Sequence, residues 1–154
     1  MSSVRRFSAS ESLQVGYYRN YYSLTVSAKV FYNHSESDRF ATLNAFDFNY
    51  GVNYGMPPVW GIDFYTTLKM YSRRGYSDDK YNTDQFIVNF NLGKDIFKGK
   101  ARLKFEVFDL LNKMSNYSYN INAQMQQETY TNLLRRYAMV SLTYRFSQKK
   151  KHTK

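Results

Sequence analysis

Cysteine is absent from the 154 residues. That excludes a disulfide framework, a thiolate metal site and a cysteine nucleophile. Only two prolines and two histidines occur. His34 falls in a polar stretch and His152 in the basic tail, so neither has the neighbours a metal or catalytic centre needs. No apolar run reaches the roughly 18 residues of a transmembrane helix, although that says nothing about membrane strands. A Gly-rich phosphate loop, a nucleophile elbow and paired-carboxylate spacing are missing too, and no enzyme is expected. No catalytic residue, metal ligand or cofactor is assigned. The opening "MSSVRRFSAS" has arginines but no apolar core of about 7–15 residues behind them, so it does not read as a secretory signal. An envelope protein needs such a signal, so the chain is either cytoplasmic or a piece of a longer one.

What the chain has in quantity is aromatic residues and positive charge: 16 Tyr, 12 Phe and one Trp, with a formal net charge of +10. Tyrosine is most useful where its ring is buried and its hydroxyl is wet, as at a membrane interface. Period-two alternation recurs over about seven segments, whereas helical spacing is nearly absent. Leu24, Val26, Ala28, Val30 and Tyr32 oppose Ser23, Thr25, Ser27 and Lys29. Phe46, Phe48, Tyr50, Val52 and Tyr54 oppose Asp47, Asn49, Gly51 and Asn53. The same pattern returns at Ile62–Met70, at Phe86–Leu92, at Leu103–Val107 and from Tyr137 to Phe146. A weaker first strand covers residues 12–19.

Connections alternate in length. Short ones are expected at 19–21, at "GMPP" (55–58) and at 93–100; longer ones at 33–40, at 72–84 and over the amide-rich 110–135. Short turns at one end and long loops at the other are the arrangement of outer-membrane barrels. The alternating runs, about 9–13 residues, suit a tilted strand crossing a bilayer rather than the roughly 5–6 residues of a sandwich strand. Tyr17, Tyr21, Tyr22, Tyr32, Tyr54, Trp60, Tyr71, Tyr137, Tyr144 and Phe146 are expected to form girdles at the two interfaces. The fold class expected is all-β: antiparallel transmembrane β-barrel strands. An odd count of seven does not close an antiparallel barrel, so the strands are expected to belong to a larger one. Residues 1–146 are assigned to the barrel and residues 147–154 to a basic periplasmic tail.

The polar residues Asp47, Asp63, Lys69, Arg102, Lys104, Glu106 and Arg145 are expected to face the lumen, either lining a path or pairing across strands. Asp78, Asp79 and Asp84 are weighed as calcium ligands and read instead as a solvated loop. Arg73, Arg74, Arg135 and Arg136 are placed near the extracellular rim, where guanidinium groups suit lipopolysaccharide phosphates. Ordinary exposure is an equal reading of these four. A nucleic-acid partner is not expected, because the basic residues are dispersed rather than gathered on one face. A small soluble barrel or sandwich that binds a ligand or nucleic acid remains the alternative.

The stretch "FDLLN" (108–112), "ETY" (128–130) and the closing "RRYAMVSLTYRF" (135–146) resembles the C-terminus of the TonB-dependent-receptor-like outer membrane β-barrel family. The resemblance covers about the last 45 residues, and "NYGVNYGMPPVWGIDFYTTLKMYSRRGY" looks like the preceding hairpin. It implies a barrel of roughly 22 strands, a plug domain inside it, a TonB contact through a region absent from this chain, and nutrient binding or uptake at the outer membrane. It also implies that Tyr144 and Phe146 form the terminal signal read by the barrel-insertion machinery, though the chain runs on past Phe146.

Overall fold

The computed structural model describes residues 4–38, 42–121 and 125–146. Seven strands form one antiparallel sheet: β1 (Val4–Arg19), β2 (Tyr22–Ser37), β3 (Leu43–Val59), β4 (Ile62–Arg74), β5 (Asp84–Ile96), β6 (Ala101–Phe108) and β9 (Tyr137–Tyr144), paired in that order. β7 (Tyr117–Ile121) and β8 (Gln126–Tyr130) form a separate hairpin between β6 and β9. The amide-rich stretch therefore builds its own element instead of extending its neighbours. Among the described residues the only helical piece is a 3-10 turn at Asp79–Tyr81.

The strands outrun the alternation legible in the sequence. β1 and β2 hold 16 residues each and β3 holds 17, well past the roughly 9–11 needed to cross a bilayer. The first strand begins at Val4, not near residue 12, because serines and arginines of β1 complete a ladder with the polar end of β2. The last strand stops at Tyr144, two residues short of Phe146; beyond it the Arg145 N–H donates to the Lys100 carbonyl at 2.8 Å.

The reversal expected at residues 55–58 lies elsewhere. β3 continues through Pro57 and Pro58, with an irregular register between Met56 and Val59, and the chain turns at Trp60–Gly61. Proline lacks the N–H a ladder needs, and β2 has already stopped pairing at Gly55, so the two prolines cost this strand no bond on that side. Trp60 and Gly61 have φ of 54° and 73°, and Asn20 and Tyr21 have φ of 47° and 69°. Two left-handed central residues give the two-residue hairpin that matches strand twist.

Register carries the apolar side chains onto one continuous face. Val15, Val26, Val52, Leu68 and Val88 stand in one row across β1 to β5. Another row runs Tyr17, Leu24, Tyr54, Thr66, Phe90, Val107 and Ala138 from edge to edge. Among the described residues no second layer covers this face: Leu13 is 68% exposed, Val15 60%, Val140 66% and Leu142 64%. A soluble sandwich would bury exactly such a face in a second sheet, so the soluble alternative does not describe this fold.

The apolar belt also slopes across the strands. On β2 and β3 it reaches up to Tyr32 and Phe46, but on β4 and β5 it stops at Met70 and Phe86, where Ser72, Arg74 and Asp84 take over the same face. At the other end it finishes at Tyr22 on β2, two residues below the row of Leu24, and at Tyr144 on β9, six residues below it. Four residues of drift over five strand steps is a slope of about 30° at ordinary strand spacings. A flat band of hydrocarbon meets tilted barrel strands in this way. Of the expected girdle residues, Tyr17, Tyr22, Tyr32, Tyr54 and Tyr144 share the apolar face, and Tyr21 and Trp60 sit at the turns. Tyr71 and Tyr137 do not belong there: Tyr71 pairs with Asn49 and Gln85, and Tyr137 with Phe108, on the opposite, polar face.

Candidate functional site

The polar face collects the charged groups expected to point inward. Asp47, Asp63, Lys69, Arg102, Lys104 and Glu106 all lie on it by register, and Arg145 follows β9 at the short-turn end. The structure gathers five of these seven into two separate clusters with further partners and leaves Lys69 on the middle of β4.

At the short-turn end Arg102 on β6 reaches over β5 to Asp63 on β4 and also donates to Asp95 at 3.2 Å. Gly93 lies in between, and a Cβ there would come within 2.6 Å of the guanidinium. The absent side chain is what lets one arginine span three strands. Lys104 meets Glu106 at 2.7 Å beside it. Arg102 and its two aspartates therefore satisfy one another across strands, and Lys104 and Glu106 do so within β6.

At the long-loop end the arrangement is tighter. Arg73 Nε donates to Asp47 Oδ1 at 3.1 Å, and the Tyr76 hydroxyl lies 3.0 Å from both carboxylate oxygens. The Arg73 guanidinium also stands 4.3 Å over the Tyr76 ring, a cation–π contact. Tyr76 is brought inward by Gly75, whose φ of +82° and close approach to the Asn44 carbonyl leave no room for a Cβ. Asn82 then clamps the loop by accepting from the Tyr76 N–H at 3.0 Å and donating to its carbonyl at 2.9 Å. Tyr76 and Tyr81 pack with Leu43 and Ala45 in the one buried apolar cluster among the described residues. Burial pushes the Tyr76 phenol above its ordinary pKa, and the neighbouring arginine opposes that shift.

The stretch "FDLLN" forms the turn that ends β6. Asp109, 1% exposed, has φ of 45° and Asn112 has φ of 55°, conformations that Asp and Asn tolerate better than most residues. The Asp109 carboxylate accepts from the Lys113 and Met114 N–H groups, both at 2.9 Å, while its own N–H donates to Asn89 Oδ1 at 2.8 Å. This aspartate holds the start of the long connection to the sheet.

Other expectations are redistributed. Arg73 and Arg74 are adjacent in β4 and so face opposite sides: Arg73 turns inward to Asp47, and Arg74 on the outer face grips both oxygens of Asp84 at 2.9 and 2.8 Å. Arg135 Nε donates to Asn116 Oδ1 at 3.1 Å. Arg73 and Arg74 thus do not act together, because alternation sends neighbours in a strand to opposite faces. Asp78 caps the 3-10 turn by accepting from the Lys80 N–H, and it does not converge with Asp84. His34 meets Asn44 Oδ1 at 2.7 Å and Glu36 at 3.3 Å. Tyr144 and Phe146 meet edge to face at 4.7 Å, with Phe146 89% exposed. His152 and the tail 147–154 lie outside the described residues.

A cleft of about 460 Å³ opens beside the Asp47–Arg73 pair, floored by the inner faces of β2 to β5 and met by Tyr117 and Ser118 of the β7–β8 hairpin. Phe31, Asn49, Tyr71 and Gln85 line it. Sequence reasoning assigned none of these four to a site. The available signal was Phe31, a large apolar residue at a polar-face position of an otherwise alternating strand.

Long tilted strands, a sloping apolar belt open to the outside, tight turns at one end and a polar, ion-paired inner face define the strands of an outer-membrane β-barrel. A model of the outer membrane protein beta-barrel family matches residues 3–144, and the chain belongs to that family. Its place is accordingly the outer membrane. Neither the curated proteins nor the solved structures contain a match to it.

Proposed function

We propose that these strands form part of a larger TonB-dependent-receptor-like barrel that binds a nutrient or takes it up across the outer membrane. The observation that carries this reading is the direction of the two edges. β1 and β9 border the sheet, and with five strands between them in antiparallel order they run the same way. They therefore cannot close antiparallel on each other, and open edges are not tolerated in lipid. Further strands, roughly 22 in all on the resemblance, supply the closure. Residues 1–146 then serve as barrel wall, and the tail 147–154 lies in the periplasm.

On this reading a plug domain lies inside the lumen, and the TonB system is reached through a region outside this chain. Tyr144 and Phe146 present the terminal strand to the barrel-insertion machinery. Arg74, at the upper limit of the outer belt, meets lipopolysaccharide. Uptake measured in cells with and without a functional TonB system tests the proposal: loss of energised accumulation in the TonB-deficient strain is the expected result. Accumulation that is equal in both strains overturns it.

A further inference from the structure

The geometry points to the cleft beside Asp47 and Arg73 as a binding site for a neutral oligosaccharide. This deepens the receptor reading above and rests on it. Three observations carry it.

The first is charge. Asp47 and Arg73 are the only charged residues that line the cleft, and they are bound to each other at 3.1 Å. Tyr76 completes the carboxylate from the far side. The lining of the cleft itself is therefore balanced, and within it a charged ligand finds no opposite charge that is not already matched; a further cation, Lys29, stands 4.3 Å over one face of the Phe31 ring.

The second is the chemistry of the remaining lining. The side-chain amides of Asn33, Asn49 and Gln85 each carry donor and acceptor atoms at one tip. Vicinal hydroxyls of a sugar also donate and accept together, so each amide can meet a pair of them. Phe31 and Tyr71 bring aromatic faces, the surfaces on which the C–H face of a pyranose ring rests. Phe31 belongs to β2 and Tyr71 to β4, two strand steps or about 10 Å apart. That separation holds more than one sugar ring.

The third is shape. At about 460 Å³ the cleft falls within the roughly 300–1,000 Å³ of small-molecule sites. It continues along the same face into a second hollow of about 300 Å³, with Asn49 and Tyr71 shared between the two. Gly51 belongs to its floor, where a Cβ would stand 2.6 Å from Ser27 Oγ. The hydroxyl- and amide-lined cleft is the uncharged part of this elongated groove, and Lys29 and Lys69 line the second hollow. A peptide would bind a sheet most readily along an exposed edge, whereas this groove lies on the face, between paired strands.

The test is isothermal titration of the full barrel, extracted in detergent from the outer membrane, against maltoheptaose, cellohexaose and xylohexaose. Hexagalacturonate serves as the anionic control and pentaglycine as the peptide control. At least one neutral oligosaccharide is expected to bind, and Asn49→Ala and Tyr71→Ala are each expected to weaken it by about tenfold or more. Tyr71→Phe, which keeps the ring, retains binding, and Tyr65→Ala, at the other end of the same face, leaves it unchanged. Unaltered heat-modifiable migration establishes that each variant still folds. Failure of all three neutral sugars to bind overturns the proposal, as does binding that survives both alanine substitutions or tighter binding of hexagalacturonate or pentaglycine. Titration in detergent needs no energy source, so sugar binding without TonB-dependent uptake would remove the transport reading and leave the site standing. TonB-dependent uptake of another nutrient without sugar binding would do the reverse.

Discussion

Tyr76 and Asp47 are 29 positions apart in the chain, yet the tyrosine hydroxyl lies 3.0 Å from both oxygens of the carboxylate. Arg73 reaches the same carboxylate from the neighbouring strand, so a single aspartate ties the loop at 75–83 to two strands at once. The loop is thereby folded onto the inner face rather than left in solvent.

Removing the hydroxyl alone should loosen that attachment modestly. Tyr76→Phe is expected to cost about 1 kcal/mol of local stability, because the ring still packs against Tyr81 and Leu43. Asp47→Ala should cost more, about 2–3 kcal/mol, since it removes the carboxylate that both the Arg73 guanidinium and the Tyr76 hydroxyl meet. Protease sensitivity of the loop on intact cells reads both, and the expected order is wild type, then Tyr76→Phe, then Asp47→Ala. Equal sensitivity in all three would mean that the carboxylate does not hold the loop.

The same contact sets a pH response. Burial is the largest cause of the raised Tyr76 pKa, so the folded loop favours the neutral phenol. A group whose folded pKa lies above its unfolded value stabilises fully below the unfolded value, and that contribution disappears as the pH rises through the folded one. Loop protection should therefore be flat through neutral pH and fall only above about pH 10. Tyr76→Phe should abolish this alkaline limb, which proteolysis at stepped pH can measure.

Asp109 should be far less tolerant than its place in a connection suggests. It is buried and accepts two backbone N–H groups, so Asp109→Ala leaves both donors without an acceptor at a cost of about 2–3 kcal/mol. Asp109→Asn keeps an acceptor oxygen and the preference for a left-handed φ, and should cost less. The yield of heat-modifiable barrel in the outer membrane separates them; equal yields would dissociate this turn from folding.

The two faces of the sheet should respond oppositely to charge. Val52 stands in the middle of the aliphatic row, and Val52→Lys is expected to destabilise the barrel by about 2–4 kcal/mol, as cations do at the bilayer midplane. Asn53→Lys, one residue along on the polar face, should be nearly neutral. Denaturant titration of the barrel in lipid vesicles compares them, and similar losses at the two positions would contradict the orientation of the sheet.

Alternation in β2, β3 and β6 was legible at once, because most apolar side chains there have polar neighbours and period two has no competing reading. The ends of the strands were not. Pro57 and Pro58 signal a turn in any local reading, and only the end of β2 pairing at Gly55 shows why the strand can carry them. Phe31 and Tyr71 illustrate the same limit at the cleft. Each reads locally as one more apolar or girdle residue, and each becomes a lining residue only when register sets it on the inner face.

By itself the sequence determined that this chain makes strands with one greasy and one wet flank, since side-chain alternation is a local property of extended backbone. It also fixed the charges available to the wet flank. Which of those charges meet was decided by the tertiary structure, for Asp63 and Arg102, or Asp47 and Arg73, come together only through the register of the strands. The slope of the belt and the existence of the cleft were decided there too, because both are relations between strands, and no single strand contains them.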